Sequence, residues 1–395
     1  MCSESQTRRD MLKLAGLFTV GGAAPLLSAF NAQAQPDANA PVRIGYLPIT
    51  DAAPLLIAHH QGFFEQAGIQ ADKPRLFRSW SQLVEAFISG QVDVVHLLSP
   101  MTLWARYGSQ VPAKIVAWNH INGSALTVRP EINKISDLGG LRVAIPFWYS
   151  IHNVVLQDLL RQNGLTPVTN GGELASDEVE LVVMAPSDML PALANNSIAA
   201  YIVAEPFNAA AEIMGVGKVL RFTGDVWRDH ACCTVFMHER DLQNRPQWSQ
   251  SVVTGIVRAQ QWIAENRAAT ADILARESGN RYTPHNQPVL AKVLLDDQSN
   301  AGSYLASGAV THPDWQQHRI GFQPYPYPSY TEALVTKLKA TTVQGNSAFL
   351  DDLDPSFAAQ DLVDDRFVKQ AIEALGGPNA FGLTANYTRT EEIAG

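Results

Sequence analysis

Apolar positions along the chain alternate between short β-branched runs and longer stretches at helical spacing. "VRIGYLPI" (42–49) is apolar almost throughout and predicts a buried strand. In "TDAAPLLIAHHQGFFEQAGI" (50–69) the apolar residues recur every three to four positions, predicting a helix with Asp51 as N-cap and Gly68 as stop. "SWSQLVEAFISGQ" predicts a second short helix ending at Gly90. "VDVVHLLSP", "AKIVAW" and "SALTV" predict three further strands. The pattern restarts at "SDLGGLRVAIP" (136–146) and runs through "SIHNVVLQDLLRQNG" (150–164), "VELVVMAP", "SDMLPALANN" and "IAAYIVAEP". Beyond about residue 230 the spacing becomes helical, with one long periodic run in "WSQSVVTGIVRAQQWIAENRAATADILARES". A tail of Tyr/Pro turns, "FQPYPYPSY", and short helices follows.

Strands alternating with helices point to an α/β protein with parallel sheets and right-handed crossovers. Two such series, separated by a polar stretch near Arg129–Lys134, predict two lobes. The expected boundaries are 41–130 plus 231–395 for the first lobe and 131–230 for the second. A length of 395 residues suits two cores. In sheets of this kind ligands sit where strands end, so the crevice between lobes is the expected site.

The N-terminus reads as an address. Arg8 and Arg9 precede "LAGLFTVGGAAPLLSAF", and "AQA" ends at Ala34, which predicts a twin-arginine export signal over residues 1–34 and a periplasmic location. Later stretches fall short of a membrane span. Cleavage would remove three basic and two acidic residues, taking the formal net charge from −9 to −10. With no cluster of Lys or Arg, nucleic acid is not an expected partner.

Candidate binding groups cluster in the strand-end loops. Thr50 and Asp51 open a helix whose N–H groups suit a polar ligand, unless Asp51 serves only as a cap. Trp80 is either core or a flat wall of the cleft. "WNHINGSA" contributes His120 and Ser124, and "PFWYSIHN" brings Trp148 with His152 and Asn153 at a helix start. "VAEPFN" contributes Ala204 and Glu205, the latter alternatively a salt bridge between lobes. Phosphate-loop, nucleophile-elbow, zinc-protease and calcium-loop signatures are absent, so no catalytic residue, cofactor or metal ligand is assigned and the chain is read as a non-enzyme.

"GDVWRDHACCTVFM" holds Cys232 and Cys233. "HACC" lacks the second ligand pair of a zinc motif, and neighbouring cysteines strain a tetrahedral site. A disulfide between neighbours is also strained, because their Cα atoms lie about 3.8 Å apart. On a strand the two side chains face opposite ways, leaving one for the cleft and one for the core.

Taken in order, "IGYLPITDAAPLLIAHHQGFFEQAGI", "SWSQLVEAFISGQVDVVHLLSPM", "VAIPFWYSIHNVVLQDLL", "VAEPFNAA" and "GDVWRDH" resemble the solute-binding proteins of ABC importers for nitrate, sulfonate and bicarbonate, the NMT1/THI5-like family. The nitrate/bicarbonate branch is the nearest. The resemblance runs from about Val42 to about Asn266. It implies a type II periplasmic-binding-protein fold, with parallel or mixed sheets flanked by helices and a ligand cleft between lobes. It also implies a monomer that captures a small polar nutrient by lobe closure and delivers it to an inner-membrane permease. The ligand would be an anion of the nitrate, bicarbonate or sulfonate type, or a small nitrogenous organic molecule.

Trp80 and His152 match the nitrate binder's pocket tryptophan and histidine, and Ala204 takes the place of a glycine that contributes backbone. Two positions depart: Ser124 stands where that binder has glutamine, and Cys233 where it has the lysine that neutralises the anion. The resemblance therefore implies a site in which a cysteine replaces a charged contact. Two alternatives accompany this reading: a THI5-like metal-dependent or pyrimidine-related enzyme using His59, His60, Cys232 and Cys233, and a ligand sensor for a membrane receptor.

Overall fold

In the computed structural model, residues 40–169, 171–295, 298–315 and 318–394 are described. The export signal expected at residues 1–34 lies outside them. The apolar runs form strands where expected. Ile44–Tyr46 (β1), Arg75–Leu76 (β2), Val94–Leu98 (β3) and Ala113–Trp118 (β4) come first in the chain. Ile121–Asn122 (β5) and Ser124–Val128 (β6) follow, then Leu141–Ile145 (β7), Thr166–Val168 (β8), Glu178–Val183 (β9) and Ala200–Ala204 (β10). Lys218–Phe222 (β11), Cys233–His238 (β12) and Ile320–Gly321 (β13) complete the set.

These strands build two main sheets. One has the order β2-β1-β3-β12-β4 and the other β11-β6-β10-β7-β9-β8. The inner strands β3, β10 and β12 are buried at every residue, as expected where helices cover both faces of a sheet. The fold is a two-lobed periplasmic-binding-protein fold with mixed sheets. The sheets are not purely parallel, because the segments that cross between them enter in reverse. β12 runs antiparallel to both β3 and β4, and β6 antiparallel to β10 and β11. Ser124–Val128, expected among residues 41–130 of the first lobe, pairs in the second sheet. A separate two-stranded ribbon pairs β5 with β13.

Two helices end earlier than their periodicity predicts. The run from residue 50 splits into Ala53–His60 and Phe63–Gln66, because Gly62 takes a left-handed conformation (φ 66°) that halts the first helix. His59 and His60 thus close a helix. The long C-terminal run divides at Asn266 into Pro246–Glu265 and Arg267–Leu274. The segment after residue 320 returns to the second lobe. Lys337 pairs with Asp158 at 2.6 Å, and the Thr342 carbonyl accepts from Asn153 and Gln157. Among the described residues no helix is long and apolar enough to cross a membrane.

Candidate functional site

The ends of β1, β4 and β12 bring four side chains to one fully buried point. Asp51 follows β1, His120 follows β4, Cys233 begins β12 and Cys232 precedes it. One ligand-type atom from each lies within 4.8 Å of the others. Asp51 caps no helix, contrary to the expectation. It sits inside a 3₁₀ turn, Thr50–Ala52, and both carboxylate oxygens lack a hydrogen-bond donor. Its backbone carbonyl accepts from the side-chain amide of Asn119, which fixes the turn.

Two groups approach Nε2 of His120. The Cys233 N–H points at it from 3.3 Å, and Asp51 Oδ2 stands 2.9 Å away, at ion-pair distance but without hydrogen-bond alignment. Burial pushes the Asp51 carboxyl up to about 6, against the pull of a positive His120. Burial opposes charge on His120 as well, yet the Asp51 carboxylate and the Cys232 sulfur lift it to about 10. Burial also raises the thiol of Cys232, but its hydrogen bond with Cys233, the charge of His152 and hydrogen bonding from His120 and His152 hold it well below the ordinary range. Cys233 moves well above that range through burial and the neighbouring sulfur.

The two cysteines do not face opposite ways. Both are free, and their sulfurs lie 3.9 Å apart. The alternation argument fails because β12 starts at Cys233, while Cys232 occupies a bend just before it.

The second lobe meets this group through His152. Its helix, Ile151–Gln162, is capped by Ser150, whose hydroxyl accepts from the Asn153 N–H at 3.1 Å. The cap points Nε2 of His152 at Ser124 Oγ (2.9 Å) and at Cys232 Sγ (3.8 Å). Trp80 opens the helix Trp80–Ile88, nearly buried, with its ring 5.6 Å from that of His96. The ring nitrogens of Trp80 and Trp148 are buried without a partner, as are Thr50 Oγ1 and Nδ1 of His96, His120 and His152.

Asn153 and Glu205 are committed elsewhere. Asn153 donates to the carbonyls of Trp148 and Thr342 and accepts from Gln157, so it ties the loop to the C-terminal segment. Glu205 accepts from Arg319 at 2.7 Å and from the Ala209 N–H at 3.0 Å. Its backbone carbonyl accepts from the Thr50 N–H, a direct link to the first lobe. Ala204 ends β10 opposite Ser124. His59 turns to the Tyr282 hydroxyl at 2.6 Å. Sequence reasoning left His96 out of the site, named His120 only as a strand-end candidate and used Cys232 only in the metal-enzyme alternative. His120, in a strand-end loop beside Ser124, offered a signal; His96, inside an apolar strand, offered little.

The family model described as the NMT1-like family matches residues 35–276, more than half of the chain. The chain belongs to the NMT1-like family. The nitrate/nitrite binding protein NrtA of Nostoc sp. is 27% identical over 295 residues, 65% of each chain, so the match spans slightly under two thirds of that relative. The periplasmic nitrate-binding protein NrtA from Synechocystis is similar in structure at a TM-score of 0.69 and 20% identity, covering 87% of this chain and 91% of that one. The ligand-binding component of an ABC-type import system from Staphylococcus aureus, solved with zinc bound, has a TM-score of 0.63 and 22% identity. It covers 84% of this chain and 98% of its own. These likenesses support the expected family and fold.

Proposed function

We propose that this protein is the solute-binding component of an ABC importer. It captures one small polar nutrient in the cleft, closes its lobes on it and hands it, as a periplasmic monomer exported by the twin-arginine route, to an inner-membrane permease. No catalytic step is assigned to it. The carrying observation is the set of buried polar atoms without partners at strand ends of both lobes: Thr50, Asp51 and Trp80 on one side, Trp148 and His152 on the other. Leaving such groups unpaired costs about 1–3 kcal/mol each, so a polar guest that pairs with them gains affinity and bridges the lobes. Family membership and the nitrate-binding relatives favour the same role.

The character of the guest follows from charge. Among the described residues, the hydrogen-bond partners of Asp51, His120, Ser124, His152, Cys232 and Cys233 include no lysine or arginine. A dehydrated anion needs a cation or several converging donors. Indole N–H groups and a histidine suit a sulfonate-type anion or a small nitrogenous compound better than nitrate. Calorimetric titration of the full chain with nitrate, bicarbonate, short sulfonates, urea, guanidine and pyrimidines should give one ligand at 1:1. A folded protein that binds none of them would overturn the proposal.

A further inference from the structure

Two sulfurs, an imidazole and a carboxylate, all fully buried, form a donor set that suits a thiophilic metal ion. Tetrahedral zinc has bonds of about 2.3 Å to sulfur and about 2.0–2.1 Å to nitrogen or oxygen, which places two sulfurs about 3.8 Å apart and a nitrogen–oxygen pair about 3.3 Å apart. Cys232 and Cys233 have their sulfurs 3.9 Å apart, and His120 Nε2 stands 2.9 Å from Asp51 Oδ2. All four ligand-type atoms fall within 4.8 Å of one another.

The second observation is independent of that spacing. Asp51 is completely buried, yet neither carboxylate oxygen receives a hydrogen bond. The nearest polar group, His120 Nε2, stands 2.9 Å from Asp51 Oδ2 without the alignment of a hydrogen bond. A buried carboxylate that receives no hydrogen bond is expensive, and coordination to a cation would satisfy it.

We infer that Asp51, His120, Cys232 and Cys233 form a four-ligand site for one divalent transition-metal ion of the zinc class. The inference stands on this tetrad and does not depend on the solute reading. All four ligands come from strand ends of the first lobe, so the ion is held by one lobe. His152, 3.8 Å from Cys232, faces it from the other. Two sulfur ligands select against magnesium and calcium, which bind oxygen.

The test uses the full chain, reduced and stripped with a chelator, titrated with cobalt(II) and then zinc(II) chloride. One equivalent of cobalt should give intense tetrahedral ligand-field bands with sulfur-to-metal charge transfer, zinc should displace it, and excess calcium should not. Cys232→Ser and Cys233→Ser should each lower the charge-transfer intensity and weaken cobalt binding by about tenfold or more. Asp51→Asn should weaken binding while keeping the charge-transfer band. His59→Gln, outside the tetrad, should bind as the parent does. A folded parent protein that takes up no cobalt or zinc at 1:1, or releases cobalt to calcium, overturns the inference. So does unchanged affinity in the Cys232→Ser/Cys233→Ser double variant.

Discussion

His152 Nε2 stands 2.9 Å from Ser124 Oγ and 3.8 Å from Cys232 Sγ, so one ring links a second-sheet strand to the bend that leads into β12 of the first sheet. A side chain in that position contacts both lobes and should favour their closed arrangement. His152→Ala is expected to weaken capture of the solute found in the ligand panel by about tenfold or more, roughly 1.4 kcal/mol. It also leaves the buried Ser124 hydroxyl without its partner, which should cost about 1–3 kcal/mol of folding stability. Calorimetry read beside urea unfolding separates the two effects. Unchanged affinity in the variant would remove His152 from the site.

Glu205 and Arg319 are 1% and 2% exposed and bond at 2.7 Å. Arg319 also bonds Glu212 and Tyr304. Removing one member strands a buried charge, so Arg319→Met should lose about 3–5 kcal/mol in urea unfolding. Glu205→Gln combined with Arg319→Met should cost less than the two single changes added together. A strictly additive pair would mean that the two charges are compensated separately.

The strands and most helices were legible because burial on both faces writes continuous apolar runs and amphipathic packing writes a 3.6-residue period. Sheet direction was not legible. The reversal of β6 and β12 arises where the chain passes between lobes, and the residues of "SALTV" look the same whichever way the strand runs. Helix breaks at Gly62 and Asn266 depend on one residue each and are easily overridden in a long periodic window. Trp80, Ser124, Trp148, His152 and Cys233 could be picked out as strand-end residues. The convergence of Asp51, His120 and the cysteines could not, because it depends on three strands distant in sequence. Treating Cys232 as a strand residue hid it further, since the strand begins one residue later.

Acidification should destabilise the protein through His96. Burial, with help from the charge on His120, lowers this imidazole to about 3, and its Nε2 accepts from the Leu47 N–H at 2.8 Å, as a neutral ring does. The unfolded chain takes up a proton near pH 6.5 and the folded one resists it. The contribution is therefore complete above about pH 6.5 and is lost as the pH falls from there towards 3. At pH 5.5 the loss from this group is about 1.4 kcal/mol relative to neutral pH. His96→Gln keeps an acceptor for Leu47 but does not titrate. Urea unfolding at pH 7.5 and 5.5 should show the variant losing about 1.4 kcal/mol less than the parent. Asp51, with its carboxyl held near 6, has the opposite pH dependence but is present in both proteins. Equal losses would mean that His96 is protonated in the folded state.

Gly255 tests how closely the first lobe is packed. It lies inside the helix Pro246–Glu265, where glycine is a poor helix former, and replacing it with alanine would ordinarily gain about 1 kcal/mol. Here a Cβ would meet Phe64 Cδ1 at 2.7 Å and Cε1 at 3.1 Å, and Phe64 is completely buried. Overpacking of that kind costs about 1–3 kcal/mol, and a rigid ring held on all sides places the site towards the upper end. Gly255→Ala should therefore lose about 1–2 kcal/mol net in urea unfolding, the clash outweighing the propensity gain. Substituting Phe64→Leu removes the ring atoms that the new methyl would strike. In that background Gly255→Ala should be neutral or stabilising, because only the propensity term remains. If the alanine variant is instead stabilised with Phe64 in place, the ring can move aside, and the helix is not held against Phe64 as tightly as the distances require.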